Sequence, residues 1–357
     1  MEAGSGRAPP AFDPAAVRGL RPPRPAHDPW RFQGVTVELE RSPDGELRPW
    51  ATVFLTGAEC PFTCVFCDLW RYTTARPTPE GALPAQLRAA LEDLPRLLDE
   101  AGLERCDRLK LYNASNFFEP RAVPEADLEP IAGLADAFER VVVECHPRLV
   151  DGRVRRFADR LRGRLEVAMG LETVHAGALP RLGKQLTLEQ FDRAAARLLA
   201  DGIGLRAFVL VGVPFVPAEE QAYWAAASVR HAVEAGARSV ALIPVRSGNG
   251  ELERLQRLAW FEPPDLALLE ESLALSLEVV AASRRRPPRG PEGPRHMESL
   301  ARGLEAAGGR AAVQVDPWDL EHVESACGAC RGARLAAIRE MNRTGEPIRT
   351  GCDECGG

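Results

Sequence analysis

Three thiols stand close together early in the chain, Cys60, Cys64 and Cys67, in the stretch Phe-Leu-Thr-Gly-Ala-Glu-Cys-Pro-Phe-Thr-Cys-Val-Phe-Cys. Their spacing is C-x3-C-x2-C, and they follow a short apolar run that ends in Thr56-Gly57, so they should ride a loop leaving a strand. Their number points to the chemistry. A tetrahedral structural zinc site takes four protein ligands, and an electron-transfer iron–sulfur cluster is usually held by four cysteines. Three cysteines on a 4Fe-4S cluster leave one iron without a protein ligand, open to chelation by a small molecule. A redox or zinc loop of the same spacing is the alternative. A second thiol group closes the chain. Cys327/Cys330 and Cys352/Cys355 form two C-x2-C pairs with residues 331–351 between them. Two such pairs are the ligand set of one tetrahedral zinc, with a second 4Fe-4S cluster as the alternative.

With Phe66 just before its last cysteine, the first loop resembles the signature of the radical S-adenosylmethionine (SAM) superfamily. That resemblance implies a partial (β/α)6 barrel carrying a 4Fe-4S cluster, with SAM bound through its amino and carboxylate groups. It also implies a reductant such as a ferredoxin or flavodoxin, whose electron cleaves SAM to methionine and a 5′-deoxyadenosyl radical. Carried over by position, it places Ser115 and Asn116 at the SAM amino group, Glu144 and Glu172 at ribose and carboxylate, and Phe66 against adenine. Lys184, just past the fourth strand's loop, adds a cation that could meet a carboxylate or phosphate. The loop Asn113-Ala114-Ser115-Asn116 departs from the Gly-Gly-Glu form common in the superfamily. Glu144-Cys-His-Pro147, Gly170-Leu-Glu-Thr173 and Val211-Gly-Val-Pro-Phe215 look most like the branch of the Elongator catalytic subunit and the tRNA methylthiotransferases. The C-terminal cysteines are similar to those of the radical SAM subunits of archaeosine synthases. The branch implies tRNA or a tRNA-linked group as substrate, with a peptide or small metabolite as the alternative. The reading from another class is a non-catalytic, metal-stabilised binding protein.

Such a site needs strands that end together. Apolar runs at 50–56, 108–112, 140–144, 164–169, 205–211 and 239–244 read as strands. Amphipathic stretches at 84–101, 125–138, 153–161, 188–200, 218–235 and 264–281 read as helices between them. Strand–helix alternation predicts a parallel α/β sheet, with chemistry at the strands' C-terminal ends. Polar or glycine-rich residues follow all six runs, including Glu144-Cys145-His146, Gly170-Leu171-Glu172, Gly212-Val213-Pro214 and Arg246-Ser247-Gly248-Asn249-Gly250. His146 and His175 are candidate proton carriers. Cys106 and Cys145 have no cysteine partner at ligand spacing and read as small buried apolar residues. Arg206 faces into the barrel or away from it.

The flanks divide the chain into an N-terminal arm and hairpin (1–46), the barrel (47–283), and a linker with the C-terminal metal segment (284–357). Residues 1–30 are Pro-, Ala- and Gly-rich and read as an extended or partly disordered arm. Residues 34–40 alternate as a strand, and Ser42-Pro43-Asp44-Gly45 is turn chemistry. The Pro/Gly/Arg-rich stretch 283–296 reads as a solvated linker, and 311–315 as a further strand. Hydrophobic residues at 45% and charged ones at 27% are ordinary for a globular protein. The net charge of −6 gives no global attraction to nucleic acid. Only Lys110 and Lys184 are lysines, the mark of a codon bias toward arginine. Without an apolar run of membrane length or a signal-peptide layout, the chain is expected in the cytoplasm, where clustered cysteines bind metal rather than pair as disulfides.

Overall fold

The computed structural model describes residues 9–283 and 311–355, so most of the expected linker lies outside the described residues. β1 (Gly34–Arg41) and β2 (Leu47–Phe54) form the expected hairpin, in register from Gly34↔Phe54 to Arg41↔Leu47. Gly45 makes the turn possible, because φ of +96° there would strain a residue with a Cβ. From β2 onward every neighbour is parallel. β3 (Arg108–Tyr112), β4 (Arg140–Glu144), β5 (Arg164–Glu172), β6 (Gly204–Val211), β7 (Ser239–Pro244) and β8 (Ala312–Val315) follow in chain order. The crossovers are α-helices Ala82–Glu100, Glu125–Leu134, Gly152–Ala158, Leu188–Ala200, Gln221–Glu234 and Leu266–Ser283. The expected partial barrel is therefore present, nearly closed, with the hairpin strand on one edge and the short β8 on the other. Among the described residues three α-helices have no counterpart in the expected elements: Pro14–Gly19, Glu251–Arg257 and the last helix, Arg331–Thr344. Among the described residues no helix is long and apolar enough to cross a membrane.

Strands buried on both faces explain the continuous apolar runs. On β3, Leu109 and Leu111 join Leu83, Leu87 and Leu128 in the layer between sheet and helices. Tyr112 turns the other way, into a lumen cluster with Trp50, Val142, Ala168 and Phe208. Below that cluster the lumen is ionic. Lys110 pairs with Glu38 at 2.9 Å and with Glu40, while Arg206 pairs with Glu40 at 2.6 Å and Glu166 at 2.9 Å. Arg206 thus points into the barrel, its guanidinium 5.2 Å from the Trp50 ring centre. Burial alone would raise the Glu40 pKa, but Arg206 and Lys110 more than offset it and hold the carboxyl at about 2.

The arm is not the loose segment its composition suggests. A helix at Pro14–Gly19, capped by Asp13, buries Val17 in an apolar cluster with Val65, Leu182 and Leu252. Phe12 lies against Gly183, where a Cβ would overlap its ring, and the Leu20 carbonyl lies against Gly250 in the same way. Gln33 N–H then bonds the Phe54 carbonyl at 2.7 Å, leading the arm into the hairpin. The arm therefore crosses the barrel end that carries the cysteines.

Candidate functional site

The cysteine loop is set by groups that the fold brings to its backbone. Buried Gln86 accepts from Thr56 N–H at 2.8 Å and donates to the Thr56 carbonyl at 3.0 Å, fixing where β2 stops. A Cβ on Gly57 would lie 3.2 Å from the Ala122 carbonyl, so the chain turns tightly there. Asn249 then holds the far end, donating to the Val65 carbonyl at 2.8 Å and the Cys67 carbonyl at 3.4 Å. Val65 N–H bonds the Leu182 carbonyl at 2.9 Å. Asn116 donates from Nδ2 to Cys60 Sγ at 3.0 Å, the kind of amide contact that orients a sulfur ligand. Burial pushes all three thiols up, Cys67 to about 12, so a bound metal must supply the charge that deprotonates them.

The two thiol groups differ in geometry. Cys327, Cys330, Cys352 and Cys355 converge with all four sulfurs within 4.8 Å, at 3.8 Å for Cys327–Cys352 and 3.9 Å for Cys330–Cys355. Tetrahedral metal–sulfur bonds of about 2.3 Å place sulfurs about 3.8 Å apart, so these four fit a single ion. Among the described residues no other group of three or more thiols, imidazoles and carboxylates is gathered for a metal ion in this way. Arg334 donates to Cys330 Sγ at 3.2 Å and to Glu270 at 3.2 Å. Glu270 also accepts from Thr350 N–H at 2.6 Å, so one buried carboxylate fastens the four-cysteine segment to helix Leu266–Ser283. Since Leu266 N–H bonds the Glu324 carbonyl, this segment sits at the same end as the cysteine loop.

At the strand ends the other candidates take distinct roles. Glu144 accepts from Asn113 N–H at 2.7 Å and Ser115 N–H at 3.4 Å, holding a turn in which Ala114 has φ of +53°. Burial raises the Glu144 carboxyl to about 7 against those donors. Asn113 Nδ2 and Ser115 Oγ are buried without a partner, an unmet demand that a polar ligand would satisfy. Glu172 and Lys184 form a buried ion pair, and Gly170 is required beneath it because a Cβ would overlap both charged ends. The cation of Lys184 faces Cys60, Cys64 and Glu172 together.

Phe66 packs half-buried in the apolar cluster of Val65, Leu182 and Val213. His146 is pinned: its N–H bonds Asn116 Oδ1 at 2.6 Å, Nε2 meets the Lys184 carbonyl at 2.9 Å, and the ring stacks on Phe62 at 3.9 Å. Burial and Lys184 lower its pKa to about 3, so it stays neutral and positions its neighbours. His175 caps a turn, accepting from Ala178 N–H at 2.9 Å. Gln86, Arg334 and an arginine cluster around Trp70 escaped the sequence reading. Arg334, one helical turn after Cys330, had a spacing signal. The others act across long sequence separations and had none.

No family model matches the chain. An uncharacterized protein of Methanocaldococcus jannaschii is 23% identical over 174 residues, 46% of this chain and 47% of that protein. The chain thus aligns with about half the length of that curated relative. Among solved structures, an archaeal Elp3 from Methanocaldococcus infernus aligns at a TM-score of 0.43 with 15% identity, over 64% of this chain and 60% of that one. A radical SAM methyltransferase from Sphaerobacter thermophilus aligns at 0.41 with 17% identity, over 79% and 77%. Similarity this slight does not assign an activity; the residues must.

Proposed function

We propose that this chain is a radical SAM enzyme in which Cys60, Cys64 and Cys67 hold a 4Fe-4S cluster with one iron open to SAM. When bound, the cluster supplies the electron that cleaves SAM to methionine and a 5′-deoxyadenosyl radical, which takes a hydrogen from substrate. A ferredoxin or flavodoxin is the proposed reductant. The observation that carries the reading is the loop itself: three free thiols at C-x3-C-x2-C spacing, at the mouth of a partial barrel beside unsatisfied polar groups of Asn113 and Ser115. Asn116 orients Cys60, His146 holds Asn116, and Lys184 supplies the positive charge facing the loop. Glu144 shapes the turn that presents Asn113 and Ser115. The proposed substrate is tRNA or a tRNA-linked group, on the resemblance of the strand-end motifs. The sulfur spacing at Cys327, Cys330, Cys352 and Cys355 favours one structural zinc over a second cluster.

Anaerobic reconstitution tests this directly. The protein should show an oxygen-sensitive 4Fe-4S spectrum that changes on adding SAM, and dithionite should release 5′-deoxyadenosine. Alanine at Cys60, Cys64 and Cys67 together should abolish both. SAM cleavage surviving in that triple variant would refute the assignment.

A further inference from the structure

We propose that a separate anion site, built for a phosphate group, lies beside the cysteine loop where Arg21, Arg24 and Arg71 surround Trp70. Their guanidinium carbons stand 4.9, 5.9 and 5.6 Å from the ring centre. Glu59 pairs with Arg21 at 2.6 Å and with Arg24, so three cations face one carboxylate and two positive charges are left over. The next carboxylate, Asp68, lies in the field of Arg71, Arg246 and Asp319, and counting these as well still leaves one positive charge in excess. Among the described residues Arg71 has no ion-pair partner; its guanidinium rests on the α-carbon side of Gly248, where a Cβ would stand 3.3 Å from it.

Two donors in this cluster have no acceptor. Trp70 is 4% exposed, yet its Nε1 is buried without a partner, and so is Arg24 Nη1. Buried donors are rarely left unmet in folded proteins, and here both belong to residues in a cluster with excess positive charge. A phosphate answers both demands: it carries a charge of about −1.5 to −2 and several oxygens that accept from guanidinium forks. A carboxylate brings half the charge and fewer acceptors. Glu59 adjoins Cys60 and Trp70 follows Cys67 by three residues, so a phosphate held here would anchor a substrate whose remainder reaches over the barrel mouth. The site needs no metal, and it can be tested on iron-free full-length protein, apart from the cluster assignment.

Inorganic phosphate, followed by phosphorus NMR line broadening, is the first probe. Binding should saturate, and Arg71→Gln and Trp70→Phe should each weaken it by about fivefold or more, since the first removes the guanidinium charge and its fork of donors and the second removes the indole N–H. Arg105→Gln, remote and exposed, should leave it unchanged. Sulfate should displace phosphate and acetate should not. Non-saturating binding, equal displacement by acetate, or unchanged affinity in both site variants would overturn the proposal. Two further arms identify the source of the phosphate. Ribose 5-phosphate and a 5′-phosphorylated ribo-oligonucleotide of about twelve nucleotides are each competed against inorganic phosphate. Equal affinity marks a small phosphorylated molecule, tighter Arg71-dependent oligonucleotide binding marks a polynucleotide, and competition by neither refutes the site.

Discussion

Glu172 and Lys184 show how a residue's role can be hidden from the sequence. Each is a plausible cofactor contact taken singly, but the fold pairs them in a buried site over Gly170, with Glu172 at φ of +66° and a bulge in β5. Burial alone would lower the Lys184 pKa, and the Glu172 carboxylate reverses that. Glu172→Gln should therefore strand a buried cation and destabilise the protein by about 3–5 kcal/mol. Adding Lys184→Met should recover most of the loss. Urea unfolding of the two single variants and the double one measures the coupling; a loss below about 1 kcal/mol for Glu172→Gln would show a hydrated, uncoupled pair. The thiol groups were legible because Cys60, Cys64 and Cys67, and the two members of each C-x2-C pair, lie within a few residues of one another. The cluster of Arg21, Arg24 and Trp70 was not, because its contacts span 46 or more residues with no local pattern.

Whole strands and helices were more legible than single contacts. Buried parallel strands carry continuous apolar runs between turn residues, so β3, β4 and β7 have the bounds expected of them. The arm was misread because its proline-rich composition says nothing about Phe12, Val17 and Leu20 finding partners across the mouth. Nor does a run of apolar residues announce the ionic layer inside the barrel, which Arg206 ties together from β6. Arg206→Met should leave buried Glu166 with Arg140 alone at 3.3 Å and Glu40 with Lys110 alone, destabilising by about 3 kcal/mol. The pH dependence follows from Glu40, which titrates at about 2 in the fold against an ordinary 4.5. Its contribution is full above pH 4.5 and is lost as pH falls toward 2. Arg206→Met should flatten that acid limb of the stability curve, because the Glu40 pKa would move back up. An acid limb as steep as that of the parent protein would place the stabilisation elsewhere.

At the scale of the whole molecule, the C-terminal segment reaches the barrel at several points, among them β8 along the edge of β7, Glu270 on helix Leu266–Ser283, the Trp318 ring 5.1 Å from that of Phe54, and Gly345 against the Arg41 side chain of β1. β8 is only four residues long, and a strand that short does not hold an edge by its own ladder. The last helix packs Leu335, Ile338 and Met341 into the main core, and Asn342 bonds both backbone groups of Val315 at 2.9 and 2.8 Å. A metal held by the four sulfurs would pin both ends of this stretch, because Cys327 and Cys330 precede the helix and Cys352 and Cys355 follow it. Removing the ion should therefore loosen residues 311–355 as a unit and uncover the β7 edge, while the central strands β4 and β5 keep their protection. Hydrogen exchange before and after chelation measures this, using the Cys60/Cys64/Cys67 triple alanine variant so that iron does not contribute. That variant should carry about one zinc and almost no iron before chelation. Close to four irons per chain would replace the zinc assignment with a second cluster. Unchanged exchange across 311–355 once the metal is gone would show that core packing, not the ion, holds the segment in place.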